Sequence, residues 1–256
     1  MKIAPLVILG HSPPEKAPRR AFGIASLDAA LAGGLAGGRV HEIYPSQKDD
    51  AAAAMGLAVA MATGIAEGGN PVMWLRSRRA VHVAGVFQAN GWAELGGTPG
   101  NTLVGVVSDM TMLLRAAVDA LRCPALGAVI VEGWGRIPEL DLTASRRLAL
   151  AAEKSGVPLF LLRCDTQPAP SAAQTRWAVA AAPSRALPGN APGRPTFDIT
   201  LLRQRSGPCG LAWRLEWDRD QHQFREAEVS SSMVSVPVRR PIADAGSRSP
   251  DSWIVT

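Results

Sequence analysis

At 256 residues, with 27 basic against 22 acidic residues and a formal charge of +5, the chain is long enough to bury one ordinary core. It is neither an acidic disordered chain nor a strongly basic one. Lysine occurs only at Lys2, Lys16, Lys48 and Lys154, so the basic pI reflects a chain-wide bias toward Ala, Gly, Pro and Arg and is weak evidence for a polyanion partner. Cys123, Cys164 and Cys209 are odd in number and far apart, with no paired histidines nearby. That pattern excludes a disulfide framework and a zinc site and predicts small core or strand residues in a reducing compartment. No stretch has the make-up of a secretory signal or an apolar span, so the sequence implies a cytoplasmic protein without membrane contact.

The first ten residues are a brief apolar segment, and Pro13, Pro14 and Pro18 with interspersed charges form a linker to residue 21. Such a detached strand-like piece either caps its own sheet or docks on a neighbour's edge. Phe22–Leu31 reads as a short helix capped by Ser26, with Ile24, Leu27 and Leu31 on one stripe. The glycines of 33–38 then turn the chain into a strand at Val40–Tyr44.

A long Ala-rich helix over 50–67 is apolar on most sides and so belongs under other elements. Val72–Leu75 is a buried strand running into Arg76, Arg78 and Arg79. A short helix over 81–88, a turn at Asn90-Gly91 and a strand at Leu103–Val107 follow. Ser108 is the expected cap of a helix over 110–121. Ala128–Glu132 is a central strand, Leu142–Ser155 a helix and Val157–Leu162 a strand.

After Thr175 the pattern changes to hairpin-linked, alternating strands at 177–181, 196–204, 211–218 and 224–229. The alternation of strand and helix from 40 to 163 implies right-handed crossovers. It predicts an α/β fold with a mostly parallel sheet covered by helices, extended by C-terminal antiparallel strands. The organisation is an N-terminal segment and linker (1–21), one domain (22–229) and a flexible tail (230–256).

Val40–Tyr44, a turn and a helix reproduce the strand–loop–helix order of a phosphate-binding loop, but the loop chemistry is missing. Such a loop needs glycines so that backbone N–H groups can surround phosphate, a lysine for the terminal phosphates and a hydroxyl for Mg²⁺. Tyr44-Pro45-Ser46-Gln47-Lys48-Asp49-Asp50 has no glycine, and it puts two carboxylates where a nucleotide's anion would sit. Alanines follow where lysine and Ser/Thr are expected. No nucleotide and no metal are expected there.

His11, His41, His82 and His222 are scattered, no motif pairs a serine with any of them, and His41 reads as a satisfied strand histidine. No catalytic residue is predicted. Two readings stand for Arg76, Arg78 and Arg79: a basic edge at the carboxyl ends of the strands, touching DNA or an acidic partner, or ordinary solvated arginines. Trp213 and Trp217 share one face of their strand, either packed on a helix or forming an aromatic docking patch. Arg239, Arg240 and Trp253 in the tail suit a peptide that orders on a partner.

The run from Phe22-Gly-Ile-Ala-Ser-Leu-Asp through the paired glycines to Arg39-Val-His-Glu-Ile-Tyr44 resembles the entry into the RecA-type recombinase core, and Gly127–Glu132 is similar to its Walker B strand. The likeness covers most of 22–229 and is specific only in its first stretch. With its degenerate Walker A loop, and with Arg78 where the resemblance places the water-activating glutamate, the chain most resembles the ImuA family of SOS mutagenesis accessory proteins.

That resemblance implies a non-catalytic protein, cytoplasmic and nucleoid-associated on DNA damage. It would bridge an ImuB-like Y-family polymerase homologue with RecA, a DnaE2-type polymerase and DNA, with self-association open. The alternatives are a SulA-like division inhibitor that binds a cytoskeletal GTPase, and a divergent ATPase.

Overall fold

The computed structural model describes residues 18–66, 69–191 and 193–227. Its elements in chain order are β1 (Arg19–Arg20), α1 (Ala25–Ala30), β2 (Leu35–Ala36), β3 (Val40–Pro45), α2 (Ala51–Ile65), β4 (Val72–Ser77), α3 (Arg78–Ala84), α4 (Ala89–Glu94), β5 (Thr102–Val107) and α5 (Met110–Leu121). β6 (Ala128–Trp134), α6 (Leu142–Ser155), β7 (Leu159–Cys164), β8 (Thr175–Ala181), β9 (Thr196–Gln204), β10 (Leu211–Asp218) and β11 (Gln223–Glu226) follow.

The nine-stranded sheet runs β11-β10-β9-β8-β3-β7-β6-β4-β5. From β5 to β8 all neighbours are parallel, and β9, β10 and β11 add antiparallel hairpins. The expected α/β architecture is therefore the one observed. One boundary moves: Thr175–Ala181, grouped by its alternation with the hairpin strands, pairs in parallel with β3 and only on its other side with antiparallel β9.

Side chains alternate across the strands, so the sheet has two apolar faces and two cores. On one, α1, α2, α3 and α4 cover Ile43, Trp74, Ile130, Phe160 and Trp177. α2 is sealed nearly all round, which is why alanine can fill it without an amphipathic pattern. On the other, Leu113, Ala117 and Leu121 of α5 and Leu148 and Ala152 of α6 cover Val129, Val131, Leu159 and Leu161. Gly34 makes the two-stranded β1–β2 ribbon feasible: its φ is +114°, and a Cβ there would lie 2.3 Å from the Arg20 carbonyl oxygen.

Several local expectations shift. α1 is capped by no side chain at Ile24, and Ser26 lies inside the helix; the Asp28 carboxylate instead accepts from the Phe22 and Gly23 amides. Asp109, not Ser108, caps α5, accepting from the Met112 amide at 2.8 Å. Asn90-Gly91 is not a turn but part of α4, because Trp92 is drawn into the core against Trp74 and Phe87. No helix among the described residues is long and apolar enough to cross a membrane.

Candidate functional site at the carboxyl ends of the strands

β3 delivers the chain to Ser46 and Gln47, a single 3₁₀ turn at Lys48–Asp50, and the start of α2. A helix start with free amides and a positive dipole end attracts anions. Here a carboxylate stands at that start without capping α2. The Asp50 carboxylate accepts from the Gln47 amide at 3.0 Å and, across the loop, from the Ala181 amide of β8 at 2.9 Å. The Ser46 amide donates to the Val179 carbonyl at 2.7 Å, so the loop is stapled to β8 at two points. Lys48 and Asp49 point into solvent.

Glu132 is closed in the same way. It is 0% exposed, and Arg76 on adjacent β4 is 1% exposed. Arg76 Nε donates to Glu132 Oε2 at 2.6 Å and Nη2 to Oε1 at 3.2 Å, while the Trp134 indole donates to Oε1 at 2.7 Å. Nη1 of Arg76 donates to the Gly85 carbonyl at 2.7 Å, and its guanidinium stacks 4.9 Å from the Trp74 ring centre. Charge and hydrogen-bonding capacity are both used up inside the protein. Arg76 is therefore not part of a basic edge: β4 continues two residues past Leu75, which carries Arg76 into the sheet and over its partner.

His41 also has both nitrogens engaged. Nε2 lies 2.9 Å from the Ala36 carbonyl, which can only accept, so Nε2 carries the proton and Nδ1 accepts from the Thr175 hydroxyl at 2.7 Å. The Trp177 indole donates to that hydroxyl at 2.8 Å. Burial pulls the His41 pKa down to about 4 against the opposing pull of the Ala36 carbonyl, and the imidazole is a neutral structural link.

Among the described residues no group of three or more His, Cys, Asp or Glu is placed to hold a metal. A hollow of about 440 Å³ beside β1, floored by Phe22, Met61, Ile65, Trp217 and Phe224, shares no lining residue with Asp50 or Glu132.

No family model matches the chain. Its sequence is 29% identical over 247 residues to Protein ImuA of Caulobacter vibrioides strain NA1000/CB15N, covering 90% of this chain and 96% of that protein, and equally to the same protein of strain ATCC 19089. The likeness to ImuA runs through nearly the whole length of both proteins. The fold of this chain is RecA-like: the crystal structure of the RadB recombinase matches it with a TM-score of 0.54 at 15% sequence identity, covering 82% of this chain and 100% of that one.

The remaining predicted residues do not converge. Arg78 and Arg79 are exposed, but they open α3, behind a Ser77 hydroxyl that accepts from the Ala80 amide at 3.1 Å. Arg79 reaches the loop after β6 at Gly135. Trp217 is buried, donates to the Glu94 carbonyl at 2.8 Å and packs edge-on to Phe224 at 4.8 Å, so it offers no docking patch. Trp213 is half-buried, donating to the Ser26 hydroxyl at 3.0 Å. Their shared face is turned inward to packing. Arg239, Arg240 and Trp253 lie outside the described residues.

Of the cysteines only Cys164 is a core strand residue, and burial beside Glu132 pushes its thiol up to about 12. Cys123 and Cys209 are exposed, against the expectation. Sequence reasoning missed Glu42, Arg163 and Arg176, which gather around Tyr44 on the α6 side of the sheet. The signal available was a charge standing inside each of three otherwise strand-like runs.

Proposed function

We propose that this protein is a non-catalytic, RecA-like accessory factor of SOS-induced translesion synthesis, holding an ImuB-like polymerase homologue, and RecA or a DnaE2-type polymerase with it, at damaged DNA. The observation that supports this reading is that the charged groups after β3 and on β6 are engaged inside the protein: Asp50 with the Gln47 and Ala181 amides, and Glu132 with Arg76. A γ-phosphate has nothing to switch, so the fold's surfaces are constitutively presented.

The β5 edge supports the assignment of a partner surface. It is the open parallel edge of the sheet, and Leu103 and Val106 on it are 50% and 52% exposed, with Val83 and Val86 also exposed nearby in sequence beyond β4. An apolar strand edge of this kind accepts a strand from another chain, and a RecA contact would use it.

The test is co-purification from DNA-damaged cells of the wild-type chain, of a Leu103→Lys/Val106→Lys chain and of a chain ending at residue 229. The expected result is recovery of the polymerase homologue with the wild type, loss of RecA with the edge variant, and loss of the polymerase homologue on truncation. Recovery of a cytoskeletal GTPase in place of any polymerase would move the assignment to a division inhibitor.

A further inference from the structure

We infer that the carboxyl ends of β3 and β7 form a binding site for a small oxyanion, a carboxylate or a phosphate, held by Arg163 and the Tyr44 hydroxyl. Arg163 is 5% exposed, yet among the described residues it has no ion pair, and its Nε is buried without a hydrogen-bond partner. Its guanidinium carbon lies 5.8 Å from the ring centre of Tyr44, which is 2% exposed. The Tyr44 hydroxyl is also buried without a partner. The Ala169 amide is near enough to favour its ionised form slightly, but an amide donates and leaves the phenolic O–H with no acceptor.

The neighbouring charges do not close the account. Arg176 sits 5.8 Å from the same ring, and its charge is met by Glu42, which accepts from its Nε at 2.8 Å. Arg176 also donates to the Ala169 carbonyl and to the Ser171 hydroxyl, tying down the loop after β7. Two guanidiniums stand against one carboxylate, and the unmatched positive charge belongs to the arginine whose Nε is unmet.

Guanidinium has donors only, so whatever completes the cluster must accept hydrogen bonds; a water satisfies that need but leaves the charge. The location is where open α/β sheets hold ligands. The burial of both groups selects a small anion over a nucleic-acid backbone, whose bulky phosphodiesters stay at the surface.

The experiment is thermal unfolding of the full chain in buffer brought to constant ionic strength with NaCl, with inorganic phosphate or acetate replacing chloride. The wild type is expected to gain several degrees, saturably, with at least one of them. Response to phosphate alone or acetate alone assigns the anion, and response to both assigns a general oxyanion site. Arg163→Met is expected to lose that response and, without anion, to melt no lower than the wild type, since it removes a buried unpaired charge. Tyr44→Phe is expected to weaken the response several-fold while folding normally. No saturable gain in the wild type, or an equal gain in wild type, Arg163→Met and Tyr44→Phe, overturns the inference.

Discussion

Arg76 and Arg163 are both buried at the carboxyl ends of strands in one parallel sheet, and they differ in everything that determines what such a residue does. Arg76, on the α2 face, is matched by Glu132, Trp134 and the Gly85 carbonyl, and nothing is left for a ligand. Arg163, on the α6 face, has a partnerless Nε and no carboxylate among the described residues. Burying a charge costs several kcal/mol unless it is paired. The comparison separates a site that has been filled with protein from one with unmet donors.

The largest expected effect comes from unmatching the matched side. Glu132→Ala strands a buried guanidinium and is expected to lower stability by about 3–5 kcal/mol. An Arg76→Met/Glu132→Leu double change, which removes both charges, is expected to cost much less. Urea titrations of the two variants beside Arg163→Met check the contrast, and similar losses for all three would erase it.

Next in size is the pH dependence set by His41. Its folded pKa is about 4 against about 6.5 when unfolded, so between those values the unfolded chain binds more protons and stability falls as the pH is lowered. The loss is about 3 kcal/mol in full, present by pH 4 and absent above pH 7. Urea midpoints at pH 7 and pH 4.5 for the wild type and His41→Gln read this term, which the variant lacks. Equal slopes in both would mean the imidazole is not held neutral.

Asp50→Ala removes one carboxylate serving two amides, and a loss of about 1–2 kcal/mol is expected for those two hydrogen bonds. If Asp50 is what fills the anion position, the variant is the one in which weak phosphate binding at the loop would first emerge. The smallest effect concerns the thiols. A disulfide-exchange reagent is expected to modify Cys123 and Cys209 quickly in the native protein and Cys164 only on unfolding, because Cys164 is buried and its thiol is held protonated. Mass mapping of the modified cysteines checks this.

The strand–helix alternation, and with it the sheet, was legible because buried parallel strands read as apolar runs between turn signals. That Tyr44–Asp50 carries no glycine was legible too, since it rests on residue types and not on geometry. What could not be read was pairing across long separations. Arg76 stands in a run of arginines that looks like solvent, and only β4 lying beside β6 brings it to Glu132, 56 residues away. Asn90-Gly91 carries turn chemistry that the packing of Trp92 overrides. Tyr44 was read for what the loop lacks, whereas the arginines that surround its ring come from β7 and β8. The inward turn of Trp217 was the favoured of two outcomes of strand alternation, and β10 lying against α4 and β11 fixes it.

The central claim, that the nucleotide position is filled by the protein's own groups, is met most directly by isothermal titration of the full chain with ATP and Mg²⁺. No saturable heat is expected at nucleotide concentrations up to the millimolar range. A dissociation constant tighter than about 1 mM, equivalent to more than about 4 kcal/mol of binding, and abolished by Glu132→Gln would contradict it.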